Sequence, residues 1–139
     1  MLVVALAAHW QLSDGMRLPD PKVTPGVVRS MTLKELCGTK WGKDERAVTV
    51  KMKKEVCEFY GAMNCPKRNV WEVDHLISRE LGGKDAADNL WPQPIKQARL
   101  KDRLENRLHR EVCSGATPLR AAQEAIRTNW WAAYKARFK

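Results

Sequence analysis

The spacing of apolar residues predicts helices in the first half of the chain, followed by one strand. In residues 46–61, RAVTVKMKKEVCEFYG, the apolar positions recur at helical spacing, at Val48, Met52, Val56 and Tyr60. A shorter helix is predicted for MTLKELCG, because Thr32 can cap it, Glu35 follows three residues later and Gly38 can end it. Apolar and polar residues alternate in residues 70–77, and this pattern favours a strand that ends at the turn-rich segment LGGKDAADN.

The second half of the chain predicts two long helices. Residues 95–113 are heavily charged and carry an apolar stripe of Ala98, Leu100, Leu104, Leu108 and Val112. The segment SGATP interrupts the pattern, and Thr117-Pro118 is a suitable start for a last helix over residues 116–138. Its core positions are predicted to be Leu119, Ala122, Ile126, Trp130 and Tyr134.

The N-terminal segment is predicted to precede the folded domain. Three prolines in LPDPKVTP, residues 18–25, disfavour helix and sheet, so folding is expected to begin near Thr24. This divides the chain into an apolar N-terminus and lead-in, 1–23, and a single domain, 24–139. The run LVVALAA, residues 2–8, is either a signal peptide remnant or a buried N-terminal helix. The first interpretation implies secretion or a periplasmic location and the second a cytoplasmic one, so localisation stays open.

The net charge of the chain indicates what kind of partner it binds. Lys and Arg number 25 against 16 Asp and Glu, which gives a formal charge of +9 across 139 residues. Such a chain favours a polyanionic partner, with DNA as the first candidate and RNA as the second. The short run 2–8 cannot span a bilayer and no other segment is a candidate, so no membrane partner is expected. The sequence does not predict an oligomeric state.

The four cysteines allow two disulfides in an oxidising compartment, with three pairings. If two form, Cys37 is expected to pair with Cys113, and Cys57 with Cys65. No C-x2-C motif is present, so the alternative is a mixed zinc site that uses Cys57, Cys65 and a distant His.

The residues that carry chemistry are concentrated in residues 72–94, EVDHLISRELGGKDAADNLWPQP. Together with the following helix, residues 70–113 form a predicted strand, turn, strand and helix, in which Asp74-His75 end the first strand and Asn89 lies beyond the turn. The intervals from His75 to Asn89 and from Asn89 to Gln97 resemble those of HNH endonucleases. The chain is similar to a small HNH-type family in several further segments, namely EVDHLI, ELGG, NLWPQP, KDRLE and VCSG. The resemblance covers most of residues 18–134. It implies an α+β, mainly helical fold, with a ββα-metal (HNH) finger and helices packed on both sequence sides.

The resemblance also implies roles for individual residues. His75 would be the general base that activates water, and Asn89 would tie the loop and orient it. Asp74 would bind one divalent metal ion, Mg²⁺ or Mn²⁺, with Ni²⁺ or Zn²⁺ as alternatives. Gln97 stands where the family has His or Asn, and would be a weaker second ligand.

Further residues near the motif are candidates for supporting roles. The carboxylates that could compensate for a weak ligand are Glu72, Glu80 and Asp102. The candidate nucleic-acid contacts are Arg79, Lys96, Arg99, Lys101 and Arg103. Of these, Arg79 is expected to face solvent more than to contact phosphate.

Three functional hypotheses follow. The first is a metal-dependent endonuclease that hydrolyses phosphodiester bonds in DNA. The second is a catalytically weak or inactive nucleic-acid-binding module of the same fold, motivated by Gln97 and the charge. The third is a secreted interaction protein braced by disulfides, motivated by the apolar N-terminus and the even cysteine count.

Overall fold

The α+β architecture consists of two small antiparallel sheets and four helices, in a computed structural model that describes residues 8–138. The strands are β1 (Gln11–Ser13), β2 (Met16–Leu18), β3 (Trp71–His75) and β4 (Leu90–Pro94), and the helices are α1 (Leu33–Gly38), α2 (Val50–Tyr60), α3 (Ile95–Cys113) and α4 (Leu119–Arg137). The run 2–8, interpreted as a signal remnant or a helix, lies outside the described residues except for Ala8.

The first two helices begin at capping residues. Thr32 accepts a hydrogen bond from the backbone N–H of Glu35 (3.1 Å) and donates one to its carboxylate (3.0 Å), which is the predicted cap of α1. Thr49 caps α2 by accepting a hydrogen bond from the N–H of Met52. α2 ends at Gly61, whose φ of +59° is a conformation that glycine adopts at little cost.

Residues 70–113 form the predicted succession of strand, turn, strand and helix. β3 pairs antiparallel with β4, with Trp71 opposite Pro94 and His75 opposite Leu90. α3 follows β4 without a connecting loop and has the bounds that the sequence predicts. The strand β3 is shorter than predicted, because the chain turns into a 3-10 turn at Arg79–Leu81 soon after His75.

The core lies between α3, α4 and the β3–β4 pair. Trp91 of β4 and Trp130 of α4 are fully buried, together with Leu104 and Leu108 of α3. α4 is kinked at Asn129, whose backbone is extended (φ −161°, ψ 94°). The Asn129 side chain accepts a hydrogen bond from the N–H of Ala132 and so caps the second part of the helix.

The folded part begins earlier than residue 24, contrary to the predicted boundary. β1 and β2 form a hairpin, and Leu18 is part of the core. Trp130 donates a hydrogen bond from Nε1 to the carbonyl of Arg17 (2.9 Å). The prolines after Leu18 therefore connect two parts of the fold instead of preceding it.

Both expected disulfides are present. Cys37 bonds to Cys113 across 76 positions and ties α1 to the end of α3, whereas Cys57 bonds to Cys65 across eight positions. With all four cysteines in disulfides, none is free to bind zinc. Across residues 8–138, no helix has both the length and the apolar composition to cross a bilayer.

Candidate functional site

A polar cavity of about 330 Å³ lies where β3 meets the first half of α3. The segment around Trp41 and the 3-10 turn after β3 complete its walls. The residues that line it are Trp41, Gly42, Arg46, Glu72, Asp74, His75, Ser78, Arg79, Glu80, Arg99, Asp102, Glu105 and Asn106. The cavity therefore brings Asp74 and His75 together with all three carboxylates that the sequence offered as support.

His75 is held by a carboxylate that the sequence analysis did not identify. Its Nε2 lies 2.7 Å from Oδ1 of Asp85. Because an ionised carboxylate only accepts hydrogen bonds, Nε2 carries the proton and Nδ1 keeps its lone pair. Burial lowers the pKa of His75 below its ordinary 6.5, against the opposing effects of Asp85 and Asp74. The imidazole is therefore neutral at pH 7 and able to accept a proton.

Asp85 is itself fixed by two other donors. It accepts hydrogen bonds from the N–H of Ala47 (2.9 Å) and from Nε of Arg79 (3.0 Å). Burial works against its ionisation, but these bonds and the one to His75 hold the pKa of Asp85 below its ordinary 3.8. Asp85 lies in the turn between the Gly-Gly pair and Asn89, and nothing in the sequence distinguishes it from the nearby Asp88.

Arg79 is buried, which corrects the expectation that it faces solvent. Its side chain is 7% exposed, and the guanidinium pairs with Asp44 (2.5 Å) and Asp85 (3.0 Å). It also donates to the backbone carbonyl of Glu45 (2.8 Å). With these three partners Arg79 holds the segment around residues 44–47 against the His75 loop, and it is not free to bind phosphate.

Asn89 closes the loop that follows His75. Its Oδ1 accepts from the N–H of Ile77 (3.0 Å), and its Nδ2 donates to the carbonyls of Ile77 and Lys84 (3.0 Å each). Gly83 is required for this closure, because a Cβ there would lie 1.7 Å from the carbonyl oxygen of Ile77. Asn89 is fully buried, so it fixes the backbone beside His75 and does not line the cavity.

Lys101 is fully buried, which corrects its assignment to nucleic-acid binding. Its ammonium lies 3.0 Å from Oδ2 of Asp74 and 2.7 Å from Oε1 of Glu105, and it donates to the carbonyl of His75 (2.7 Å). Burial disfavours the charged amine, but the two carboxylates outweigh this effect and raise the pKa of Lys101. Lys101 thus neutralises Asp74 and positions the backbone of His75.

The other carboxylates of the cavity are crowded. Burial raises the pKa values of Glu72 and Asp102, and the charge of Asp74 raises both further. Arg99 offsets part of this repulsion by binding Glu72 and Asp102, at 2.6 Å each. The second carboxylate oxygen of Glu72 is buried and has no hydrogen-bond partner among the described residues. Such a group of like charges would be stabilised by a cation.

The remaining predicted residues lie apart from the cavity. Gln97 does not line it, because its side-chain oxygen accepts from the backbone N–H of Arg17 (2.8 Å). Arg103 donates to the hydroxyl of Tyr134 (2.9 Å), and Lys96 is exposed on the same helix. The structure therefore does not bring Gln97 to Asp74. Asp102, further along α3, lines the cavity together with Asp74.

No arrangement of three His, Cys, Asp or Glu side chains in residues 8–138 has the geometry of a preformed metal site. In comparisons with known proteins, no family model matches the chain, and no curated protein or solved structure is significantly similar to it.

Proposed function

We propose that this protein is a metal-dependent, HNH-type endonuclease that hydrolyses phosphodiester bonds in DNA. The observation that carries the proposal is the His75–Asp85 pair, with a neutral imidazole beside Asp74 in a polar cavity. The resemblance of residues 72–94 to the HNH motif supports the reaction class, and the charge of +9 supports a polyanionic substrate.

In this mechanism His75 is the general base. Its Nδ1 has no hydrogen-bond partner among the described residues, so its lone pair can take a proton from an attacking water. Asp85 holds the proton on Nε2 and stabilises the imidazolium that forms, which makes Asp85 a positioning residue. Lys101 holds the carbonyl of His75, and Asn89 holds the loop that follows it.

The donor set of the cavity fits a hard cation that keeps most of its waters. Mg²⁺ is commonly bound by one or two carboxylates with water and phosphate oxygens as the other ligands, so three converging protein ligands are not required. Asp74 would hold the ion, with Glu72 or Asp102 as the second carboxylate. A bound cation of this kind would polarise the scissile phosphate and neutralise charge on the leaving oxygen.

A binding module without turnover is the second candidate, and one specific contact favours it. Oδ2 of Asp74 is already paired with the ammonium of Lys101, so part of the charge that would attract a metal ion is neutralised inside the protein. This alternative gives DNA binding without metal-dependent cleavage.

The test is cleavage of supercoiled plasmid and of a single-stranded DNA with Mg²⁺ or Mn²⁺ and with EDTA, measured beside DNA binding. Wild-type protein should nick the plasmid only with metal, and His75→Ala should lower the rate by about 10²–10⁴-fold while binding persists. Binding without cleavage under either metal would refute the nuclease proposal and favour the module.

Asp85→Asn tests the positioning residue. It should lower kcat and leave DNA binding unchanged, and Asp85→Glu should retain more activity because it keeps a carboxylate. Asp88→Asn, an exposed aspartate in the same turn, is the matched control and should behave as wild type. Equal activity of Asp85→Asn and Asp88→Asn would remove Asp85 from the mechanism.

A further inference from the structure

A second cavity, of about 440 Å³, adjoins the one that contains His75. The two share three lining residues, Arg46, Glu72 and Arg99. The two cavities are therefore adjacent, with His75 lining the first and Trp71 lining the second. We call the second cavity the Trp71 groove.

The Trp71 groove is strongly basic. Four of its lining residues are cationic, namely Arg46, Lys53, Arg68 and Arg99. Among the described residues, Glu72 is the one acidic residue that lines it, and Arg99 binds that carboxylate at 2.6 Å. Arg46, Lys53 and Arg68 make no ion pair with any residue in the described part of the chain, so three cations remain available for an anionic ligand.

Trp71 gives the groove a rigid aromatic wall. Its ring stacks on Trp10, with the ring planes 9° apart and the centroids separated by 5.4 Å. Nε1 of Trp71 donates to the carbonyl of Met63 (2.8 Å), which fixes the ring in its own plane. The side chain is half-buried, with Trp10 against the ring and the guanidinium of Arg17 5.2 Å from its centroid, so a ligand can reach the part of the ring that these two leave exposed.

Basic side chains beside an accessible aromatic ring suit single strands better than duplexes. In a duplex the faces of the bases are stacked against one another, so an aromatic side chain on the surface cannot stack on them. In a single strand a base can leave the stack and lie against an aromatic side chain, while the phosphates on either side contact cations.

We propose that the Trp71 groove binds a single-stranded segment of nucleic acid. Arg46, Lys53 and Arg68 contact its phosphates, Trp71 contacts a base, and the chain continues into the cavity where His75 lies. The proposal rests on the proposed function, since it names the strandedness of that enzyme's substrate. The chemistry of the groove is shared by DNA and RNA.

The experiment is fluorescence anisotropy of the full chain in EDTA, so that binding is measured without cleavage. The probes are a labelled single-stranded DNA, the RNA of the same sequence and the corresponding DNA duplex, each over a series of salt concentrations. Wild type should bind at least one single strand about tenfold more tightly than the duplex. Tighter binding of RNA than of DNA would support the groove and make RNA the substrate.

Two variants separate the phosphate contacts from the base contact. Lys53→Ala with Arg68→Ala should weaken single-strand binding at least tenfold and reduce the slope of log K against log salt by about 1.4, at about 0.7 for each phosphate that is no longer neutralised. Trp71→Leu should weaken binding by about tenfold and leave the slope unchanged, because base stacking releases no counterions. Trp71→Phe, which keeps an aromatic ring, should recover part of the loss and shows whether the fold tolerates substitution here.

The matched control removes the same charge elsewhere. Lys22→Ala with Arg120→Ala changes two exposed residues outside both cavities and should alter single-strand binding by less than twofold. An equal loss from both double variants, or duplex binding as tight as single-strand binding, would overturn the proposal. Absence of cleavage in the plasmid assay would leave this binding result unchanged, so the two proposals can fail separately.

Discussion

The two halves of α3 hold their carboxylates in opposite ways. In the first half Asp102 and Glu105 lie close to Asp74, and burial together with that neighbouring charge raises both pKa values. In the second half Glu111 accepts from Arg107 (3.1 Å), Arg137 (2.9 Å) and Thr117 (2.8 Å). Burial works against ionisation of Glu111, but the bonds from Arg137 and Thr117 outweigh it and lower its pKa.

This difference separates a structural end of the helix from the end that lines the cavity of the proposed function. Ionised Glu111 stabilises the fold by joining α3 to the end of α4, close to the disulfide at Cys113. Burial and mutual repulsion disfavour ionisation of the carboxylates near Asp74, a pattern that is found at ligand-binding sites as well as in structural networks. A cation in the cavity would offset that repulsion, as the proposed function requires.

The largest effect on stability is expected at Lys101. Lys101→Met keeps much of the volume but leaves Asp74 and Glu105 buried without their counterion, so the free energy of unfolding should fall by about 3–5 kcal/mol. Urea denaturation measures the change. Lys96→Met, on an exposed position of the same helix, should change stability by less than about 0.5 kcal/mol. A loss below about 1 kcal/mol for Lys101→Met would mean that the fold tolerates Asp74 and Glu105 without their counterion, and that their burial costs little stability.

The next effect is expected at the disulfide that braces the structural end of α3. Cys37→Ala with Cys113→Ala should lower the free energy of unfolding by about 2–4 kcal/mol, because it releases a 76-residue loop in the unfolded chain. Cys57→Ala with Cys65→Ala should cost less, because that loop spans eight positions. Neither pair lines the cavity that contains His75, so plasmid cleavage below the melting temperature should persist in both variants. A selective loss of cleavage in the first variant would show that the brace also shapes the site.

Local patterns were sufficient to predict much of the fold. The cap at Thr32, the bounds of α3 and the pairing of a strand before Gly82 with one after it all depend on residues close in sequence. The closure at Asn89 was predicted in another way, because the resemblance to HNH endonucleases implies an Asn that ties the loop after the His.

The partners of charged residues were not predictable in the same way. Lys101 lies three residues after Ala98 and three before Leu104, so the helical period places it on the buried face. It was assigned to nucleic acid as one of several basic residues on a helix that was expected to contact phosphates, but its burial depends on Asp74, which lies 27 positions away. The burial of Arg79 and the role of Asp85 were not predicted for the same reason. Asp44 binds Arg79 and Ala47 binds Asp85, and both partners come from a different segment of the chain. The start of the fold was also misplaced, because the contact of Trp130 with Arg17 joins opposite ends of the sequence.

The smallest effects are expected from the same Glu→Gln substitution at two places, one in the cavity and one at the structural end of α3, where its effects on stability should have opposite signs. Burial raises the pKa of Glu80 in the cavity, so Glu80→Gln should stabilise the protein slightly at pH 7. The pKa of Glu111 is lowered by its partners, so Glu111→Gln should destabilise the protein by about 1 kcal/mol. The stability from Glu111 is present above the ordinary pKa of 4.5 and is lost as the pH falls through its lower folded pKa. The cost of Glu80 is present at neutral pH and disappears as the pH falls through its raised folded pKa to 4.5. Urea denaturation from pH 7 to pH 3 should therefore show two differences of opposite sign that both shrink toward zero, first for Glu80→Gln and then for Glu111→Gln. Destabilisation by both substitutions at pH 7 would mean that an ionised carboxylate stabilises the fold in the cavity as it does at the second half of α3.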